Sequence, residues 1–401
     1  MLFSSPGCVL IINAGSSSLK FALYRAAAEP TLVLAGKFDR VHLADGHFSW
    51  HDVATGQTHR RVLQLPDHAA CLPILTELVE THAGSGELLA IGHRVVHGGP
   101  RLVEPARVTP ALLAELERCR NFAPLHVPVQ LMILEAFGRV LPRVPQVACF
   151  DTAFHAHMPA VAHILPIPRR FYEQGVRRYG FHGLSYTYLM EELRRIADPD
   201  AASGRIVLAH LGNGASMAAV SGGQSVDTTM GFTPAAGLVM STRPGDLDPG
   251  LVSYLHDVEG MSFDEFHRMI NGQSGLLGIS ETSSDVRDLL LHEETDPRAA
   301  EALAVFCYQA RKWIGALAAA MEGLDTLVFS GGIGENSPVI RTRVCEGLEF
   351  MGIALDPARN VANAPVISAD HARVTVRVIP TDEEKLIARQ TCRMLCDESK
   401  L

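Results

Sequence analysis

The run VLIINAGSSSLKF, residues 9–21, starts as an apolar, β-branched strand and breaks at Asn13 into a glycine and three serines. It resumes with Lys20 and a second apolar run. Two strands joined by so small a turn read as a β-hairpin. A tight Gly/Ser turn lines up several backbone N–H groups on one side, and such a concavity attracts anions. Gly15 lets the backbone approach closely. Ser16, Ser17 and Ser18 add hydroxyl donors without bulk, and Lys20 adds a point charge suited to phosphate. Asn13, at the strand end, offers an amide oxygen to a metal or its bound water. A plain hairpin with a surface lysine would satisfy the same pattern, so the rest of the chain has to discriminate.

A second stretch repeats the layout half a chain later. IVLAHLGNGASMAAVS, residues 206–221, is again an apolar strand, a turn of small polar residues and a second apolar strand. Asn13 and His210 occupy corresponding places, as a duplicated domain would have them. A third, LVFSGGIGENS (residues 327–337), follows an apolar run and should lead into a helix, with Gly331, Gly332 and Gly334 leaving the backbone open to a ligand. Three such loops after strands point to a nucleotide. Neither GxxxxGK[ST] nor GxGxxG occurs, which excludes a P-loop NTPase and a simple dinucleotide binder.

The bulk properties are those of a globular enzyme. The chain has 401 residues, of which 47% are hydrophobic and 20% charged. A single core stops growing near about 250–300 residues, so two domains are expected. The net charge of −9 argues against nucleic acid as a partner. The eight cysteines show no CxxC pair and read as reduced, mostly buried thiols of a cytoplasmic protein. The N-terminus lacks a charged n-region and a cleavage site, so no signal peptide is expected. Arg311 and Lys312 interrupt the longest apolar helix, over 302–321, and remove a membrane span. Strands are expected at 9–13, 20–24, 89–96, 146–151, 206–211, 217–221, 326–330 and 374–380. Helices are expected at 110–118, 128–140, 186–196, 249–257, 262–272, 297–321 and 382–396. The alternation is that of an α/β fold.

Other stretches concentrate chemistry. GHRVVHGG holds Arg94, FDTAFH holds Asp151 at a strand end, and RYGFHG holds His182. STRPGDLDPG holds Arg243, GISETSSDVRDL holds Asp285 and Arg287, and PTDEEKL holds Glu383. Arginines, a histidine and a lysine beside phosphate-gripping loops suit phosphoryl transfer, whose transition state spreads negative charge over several oxygens. His93 and His97 have i,i+4 spacing, but in a strand that separation is roughly 13 Å and does not suit zinc.

Taken together, NAGSSSLKF, HRVVHGG, FDTAFH, RYGFHG, HLGNGAS, TRPGDLDPG, SGGIGEN and TDEE resemble the acetate kinase family, in its order and spacing, over nearly the whole chain. The resemblance implies an α/β protein of two duplicated RNase H-like (actin-like ATPase) domains flanking a nucleotide-binding cleft, and a homodimer. The expected domains are 1–152, completed by the helix 385–401, and 153–384 with most of the nucleotide site. It implies reversible transfer of the ATP γ-phosphoryl group to acetate, giving acetyl phosphate and ADP, with Mg²⁺ or Mn²⁺. By motif, Asn13 and Glu383 would be metal-site residues and Lys20 an ATP contact. His210, Leu211, Gly212, Asn213 and Gly214 would hold phosphates. Asp285, Val286 and Arg287, with Gly332, Ile333, Gly334, Glu335 and Asn336, would hold the nucleoside end. Arg94 would bind the substrate carboxylate, with Val96, Leu125, Phe181 and Pro234 around the acyl methyl. His182 and Arg243 would stabilise the transferring group, and Asp151 matches the family's catalytic acid/base. A carboxylate substrate is already ionised at neutral pH and needs no base, so orienting Arg94 or the metal–phosphate assembly suits Asp151 better.

Departures from the family pattern are Val127, Val129 and Gln130 in APLHVPVQ, Pro244 in TRPGD, and Glu281 in GISETSSD. Glu281 would either bring negative charge to the nucleotide region or point to solvent. Alternative readings are a propionate or butyrate kinase and, in a different class, an actin-like ATP-binding switch without an acyl substrate. A sugar kinase would need a base and a polar pocket.

Overall fold

The computed structural model describes residues 7–15, 17–43, 45–83, 87–197 and 199–398; Ser16 lies outside them. The chain divides into two compact units, residues 1–153 with 382–401, and residues 154–381. Glu383 thereby belongs to the first unit.

The first unit is built on an eight-stranded sheet. Its strands are β1 (Gly7–Ala14), β2 (Ser18–Arg25), β3 (Thr31–Asp39), β4 (Gly46–Asp52), β5 (Gln57–Leu63), β6 (Glu87–Val95), β7 (Ala106–Arg107) and β8 (Gln146–Phe150). They lie in the order β5-β4-β3-β2-β1-β6-β8-β7. The central strand β1 is an almost continuous aliphatic run and is buried along nearly its whole length, as a strand covered on both faces must be. It pairs antiparallel with β2 and parallel with β6, and β6 runs parallel to β8. The second unit carries a five-stranded sheet of β9 (Arg205–Leu211), β10 (Ala215–Ser221), β11 (Gln224–Thr228), β12 (Thr326–Ser330) and β13 (Thr375–Val378), ordered β11-β10-β9-β12-β13.

The two sheets share a topology. The β9–β10 and β10–β11 pairs are antiparallel, and β9–β12 and β12–β13 are parallel. This matches β1–β2, β2–β3, β1–β6 and β6–β8 in turn. Both hairpins expected from the sequence form, and the duplication extends from them to whole sheets. The sequence reading did not place β3, β4 or β5. Five of the seven residues of β5 are exposed, so no apolar run marks it. The helix Cys71–Ala83 also went unplaced.

In the first unit the helix Glu383–Glu398 lies against the sheet, and the close approach is made at Gly92 in β6. A β-carbon there would stand 2.4 Å from Thr391 Oγ1, 2.7 Å from Ile387 Cγ2 and 3.0 Å from Ile11 Cδ1. The absent side chain lets the helix bring Glu383 to the sheet's edge of polar residues. Gly92→Val is expected to lower stability by about 1–3 kcal/mol through overpacking, read as a fall in the urea midpoint of the first unit.

Candidate active site

In the first unit, three strands end at one polar cluster. Asn13 comes at the end of β1, Arg94 at the end of β6 and Asp151 just after β8. Parallel pairing of β1, β6 and β8 aligns those ends. Arg94 Nε donates to Asp151 Oδ1 and Oδ2 at 3.1 and 3.0 Å, and its Nη2 donates to Oδ2 at 2.6 Å. Arg94 Nη1 donates to Asn13 Oδ1 at 3.1 Å, and Glu383 Oε2 stands 3.6 Å from Nε. One N–H on each terminal nitrogen of Arg94 is left over from these contacts. Asp151 is 1% exposed, and burial pushes its carboxyl up to about 6, with Glu383 adding to the rise and Arg94 pulling against it. Burial also works against the Arg94 charge, but Asp151 and Glu383 outweigh it and hold the guanidinium firmly protonated.

Asn13 is the direct cross-strand partner of Lys20, so the two side chains leave the hairpin on the same face. Lys20 is exposed. Val96 is buried, and its N–H donates to Gln130 Oε1 at 3.1 Å, which gives the atypical Gln130 a place in the site's support. Val127 is buried in one apolar cluster, with Val95, Leu131 and Phe150, and Val129 packs against a separate one, so those two departures are accommodated as packing residues. Leu125 is exposed at 42%.

The second unit gathers another cluster at the end of β9. His182 precedes the helix Gly183–Ile196 in a left-handed conformation, φ 57°, and makes no capping bond with its side chain. Its Nδ1 meets Ser216 Oγ at 2.8 Å, and Ser216 Oγ also meets the Tyr186 hydroxyl at 2.5 Å. The His182 ring stacks on that of His210, with centroids 4.4 Å apart. His210 Nδ1 in turn meets Ser185 Oγ at 2.8 Å. A β-carbon on Gly214 would lie 2.7 Å from Arg243 Nη2 and 3.1 Å from His182 Nε2, so both polar tips converge on this glycine. Arg243 Nη1 donates to the Pro234 carbonyl at 2.5 Å. The loop is held by the Ser241 N–H donating to the Asn213 carbonyl at 3.1 Å and the Gly212 N–H to the Gly214 carbonyl at 3.1 Å. Asn213 is exposed and Leu211 buried. Phe181 is buried, its carbonyl bonded by His155 Nε2 at 3.1 Å.

The third Gly-rich stretch begins a helix at once, Gly331–Asn336. Gly331 has φ +75°, and a β-carbon there would be 2.7 Å from the Leu211 carbonyl oxygen. Gly332 faces open space and Asn336 is exposed, its Nδ2 donating to the Gly332 carbonyl at 3.0 Å. Ile333 is half-buried and Gly334 buried. The Glu335 carboxylate is turned inward, accepting from the Gly331 N–H at 2.8 Å and the Thr381 N–H at 3.1 Å. Asp285 caps the helix Val286–His292, accepting from the Arg287 N–H at 2.8 Å, and pairs with the Arg287 guanidinium. The Val286 side chain is buried, leaving only its backbone available to a ligand.

The sequence reading missed Arg341. It is fully buried, and its guanidinium donates to the carbonyls of Gly334 (2.8 Å), Glu335 (3.0 Å) and Asn360 (2.7 Å) and to the side-chain oxygens of Asn360 (2.8 Å) and Asn363 (2.6 Å). It clamps the far end of the Gly331–Asn336 helix. Nothing in the sequence around Arg341 distinguishes it from a surface arginine. Glu281 points to solvent, the second of the two expectations: its exposed side chain pairs with exposed Arg298, and its backbone is left-handed, φ 58°, where glycine is at ease. Nothing in the structure explains Pro244. None of the eight cysteines is in a disulfide, and all but Cys396 are buried. Among the described residues no group of three or more His, Cys, Asp or Glu is placed to hold a metal ion, and His93 and His97 form no such site.

With this geometry in hand, comparison decides the family. Residues 8–389 match the acetokinase family. The chain belongs to that family. It is 44% identical to the acetate kinases of Bacillus cytotoxicus and Bacillus subtilis over 96% of its length and 98–99% of theirs. Among solved structures, acetate kinase from Porphyromonas gingivalis matches with a TM-score of 0.88 at 37% identity, covering 97% of this chain and 99% of that one. A propionate kinase from Francisella tularensis matches with a TM-score of 0.90 at 33% identity, covering 96% and 98%. The acetokinase fold thus accounts for both units.

Two outcomes follow from the packing. Gly214→Ala should push Arg243 and His182 off their convergence and lower kcat about tenfold to a hundredfold, with the thermal midpoint unchanged. Glu281→Gly should raise the urea midpoint, because relief of a left-handed non-glycine residue outweighs an exposed ion pair that contributes little.

Proposed function

We propose that this chain is an acetate kinase, transferring the γ-phosphoryl group of ATP to acetate and back. The observation that carries the reading is the Arg94 guanidinium held two-pronged by buried Asp151 in a chain of the acetokinase family. Asp151 fixes the plane of Arg94, whose remaining N–H groups meet the acetate carboxylate. An acetate oxygen then bonds to the γ-phosphorus as the bond to ADP breaks, and ADP leaves with the electron pair. No proton has to be removed from an ionised carboxylate, so Asp151 acts by orientation. Arg243 and His182, converging on Gly214, stabilise the transferring group. Lys20 and the loop 210–214 hold phosphates, and residues 285–287 and 332–336 hold the nucleoside end. Most of the nucleotide site therefore falls in the second unit.

Asn13 and Glu383 supply two oxygen donors, the kind of partial set that suits Mg²⁺ shared with nucleotide phosphates and water. Bound there, the ion would offset phosphate charge. Val96, Leu125, Phe181 and Pro234 are read as the surroundings of the acyl methyl. The likeness to a propionate kinase supports propionate as a second substrate, since one methylene in an apolar pocket is worth only about 1–3 kcal/mol. A homodimer is supported by the helices Gly250–Glu259 and Phe263–Gly272, which bury no residue and expose Tyr254, Val258 and Phe263. A cytoplasmic setting is supported by cysteines that form no disulfide; no helix among the described residues is long and apolar enough to cross a membrane.

The test is kcat/KM for acetate, propionate and butyrate with Mg-ATP, read as hydroxamate, beside Arg243→Ala. Acetate should lead, and the variant should lose about a hundredfold or more in kcat. Formation of no acyl phosphate from any acid, with ATP still bound, would replace the kinase with a nucleotide switch.

A further inference from the structure

The sequence between β1 and β2 is short and made of small residues. Among the described residues there, the Gly15 N–H donates to the Ser18 carbonyl at 2.9 Å. Two further bonds come from distant segments packed beneath it. The Val41 N–H donates to the Ser17 carbonyl at 3.0 Å, and His68 Nε2 bonds the Gly15 carbonyl at 2.9 Å.

His68 is placed to serve this backbone. It is 0% exposed. A carbonyl oxygen only accepts, so Nε2 carries the proton, while Nδ1 has no hydrogen-bond partner. Its backbone is fixed by the start of the helix Cys71–Ala83, with the Cys71 N–H donating to the His68 carbonyl at 3.1 Å. Its ring meets His42 edge-on at 5.2 Å between centroids, and His42 is itself tied to Pro66 O by Nδ1 at 3.0 Å. A buried imidazole with an unsatisfied Nδ1 is a costly way to fill space that leucine would fill. What it supplies is a rigid donor to a turn carbonyl two residues beyond Asn13.

We propose that His68 is a positioning residue for the nucleotide phosphates, holding the backbone that leaves β1 at Gly15 without touching substrate. This rests on the reading of that turn as phosphate-binding. Backbone groups that cradle phosphate work only when held within a fraction of an ångström, and His68 provides that hold from outside the hairpin.

The experiment measures kcat, KM for ATP, KM for acetate and thermal midpoint for His68→Leu, His68→Gln and Lys20→Ala. Leucine keeps the bulk and removes the donor; glutamine returns an N–H near the place of Nε2. His68→Leu should raise the ATP KM about tenfold while the acetate KM stays within about twofold, and His68→Gln should recover most of the loss. Should the leucine variant fail to fold, His68→Asn, polar but too short to reach Gly15, takes its place under the same outcomes. An unchanged ATP KM in His68→Leu beside a raised one in Lys20→Ala would overturn the His68 role and leave the phosphate reading standing. An unchanged ATP KM in Lys20→Ala would overturn both. Equal rises in both KM values, with a lowered midpoint and no recovery by glutamine, would reduce His68 to a packing residue and overturn the proposal.

Discussion

A buried carboxylate cannot stay ionised alone, and Asp151 is almost wholly withdrawn from water. Its bidentate contact with Arg94 is the constraint around which the first unit is arranged. The pair depends on β6 and β8 being adjacent, parallel and in register, with Arg94 opposite Cys149 and Asp151 two residues further on. The same parallel pairing on the other side of β6 delivers Asn13 to the guanidinium. The helix Glu383–Glu398 then brings a second carboxylate to it, across a contact that only glycine at position 92 permits. The result is a cation whose position is over-determined by neighbours, as the proposed role of meeting a small anion without reorganising requires.

The second unit reaches a comparable end by hydrogen-bond chains instead of a buried ion pair. Ser216 joins His182 to Tyr186, and Ser185 joins His210 to Thr381. These links fix two stacked imidazoles beside a loop whose Gly214 leaves room for Arg243. The Gly331–Asn336 helix is held at both ends by charges turned inward, Glu335 at its start and Arg341 at its finish. Charged side chains that sequence motifs suggest for ligand contact can thus serve the loop itself, and Glu335 is the clear case here. Gly332 in the same helix has open space before it, as its proposed place beside a ligand requires.

Much of this was legible in the chain. The strand–turn–strand runs at 9–21 and 206–221 specify hairpins because aliphatic β-branched residues and a small-residue turn admit little else, and their repetition signals duplication. The positions of Asn13, Arg94, Asp151, His182 and Arg243 were marked by motif, because strand ends and Gly-rich turns are where a backbone can present chemistry. Only the tertiary structure decided the partners. Asp151 and Arg94 are 57 residues apart, and no local pattern states which strands neighbour each other. Gln130 supporting Val96, His68 supporting Gly15 and Arg341 supporting residues 334–335 each join segments far apart in sequence. Each was invisible for the same physical reason. Composition and periodicity report the faces an element buries, whereas a single hydrogen bond depends on where two elements finally meet.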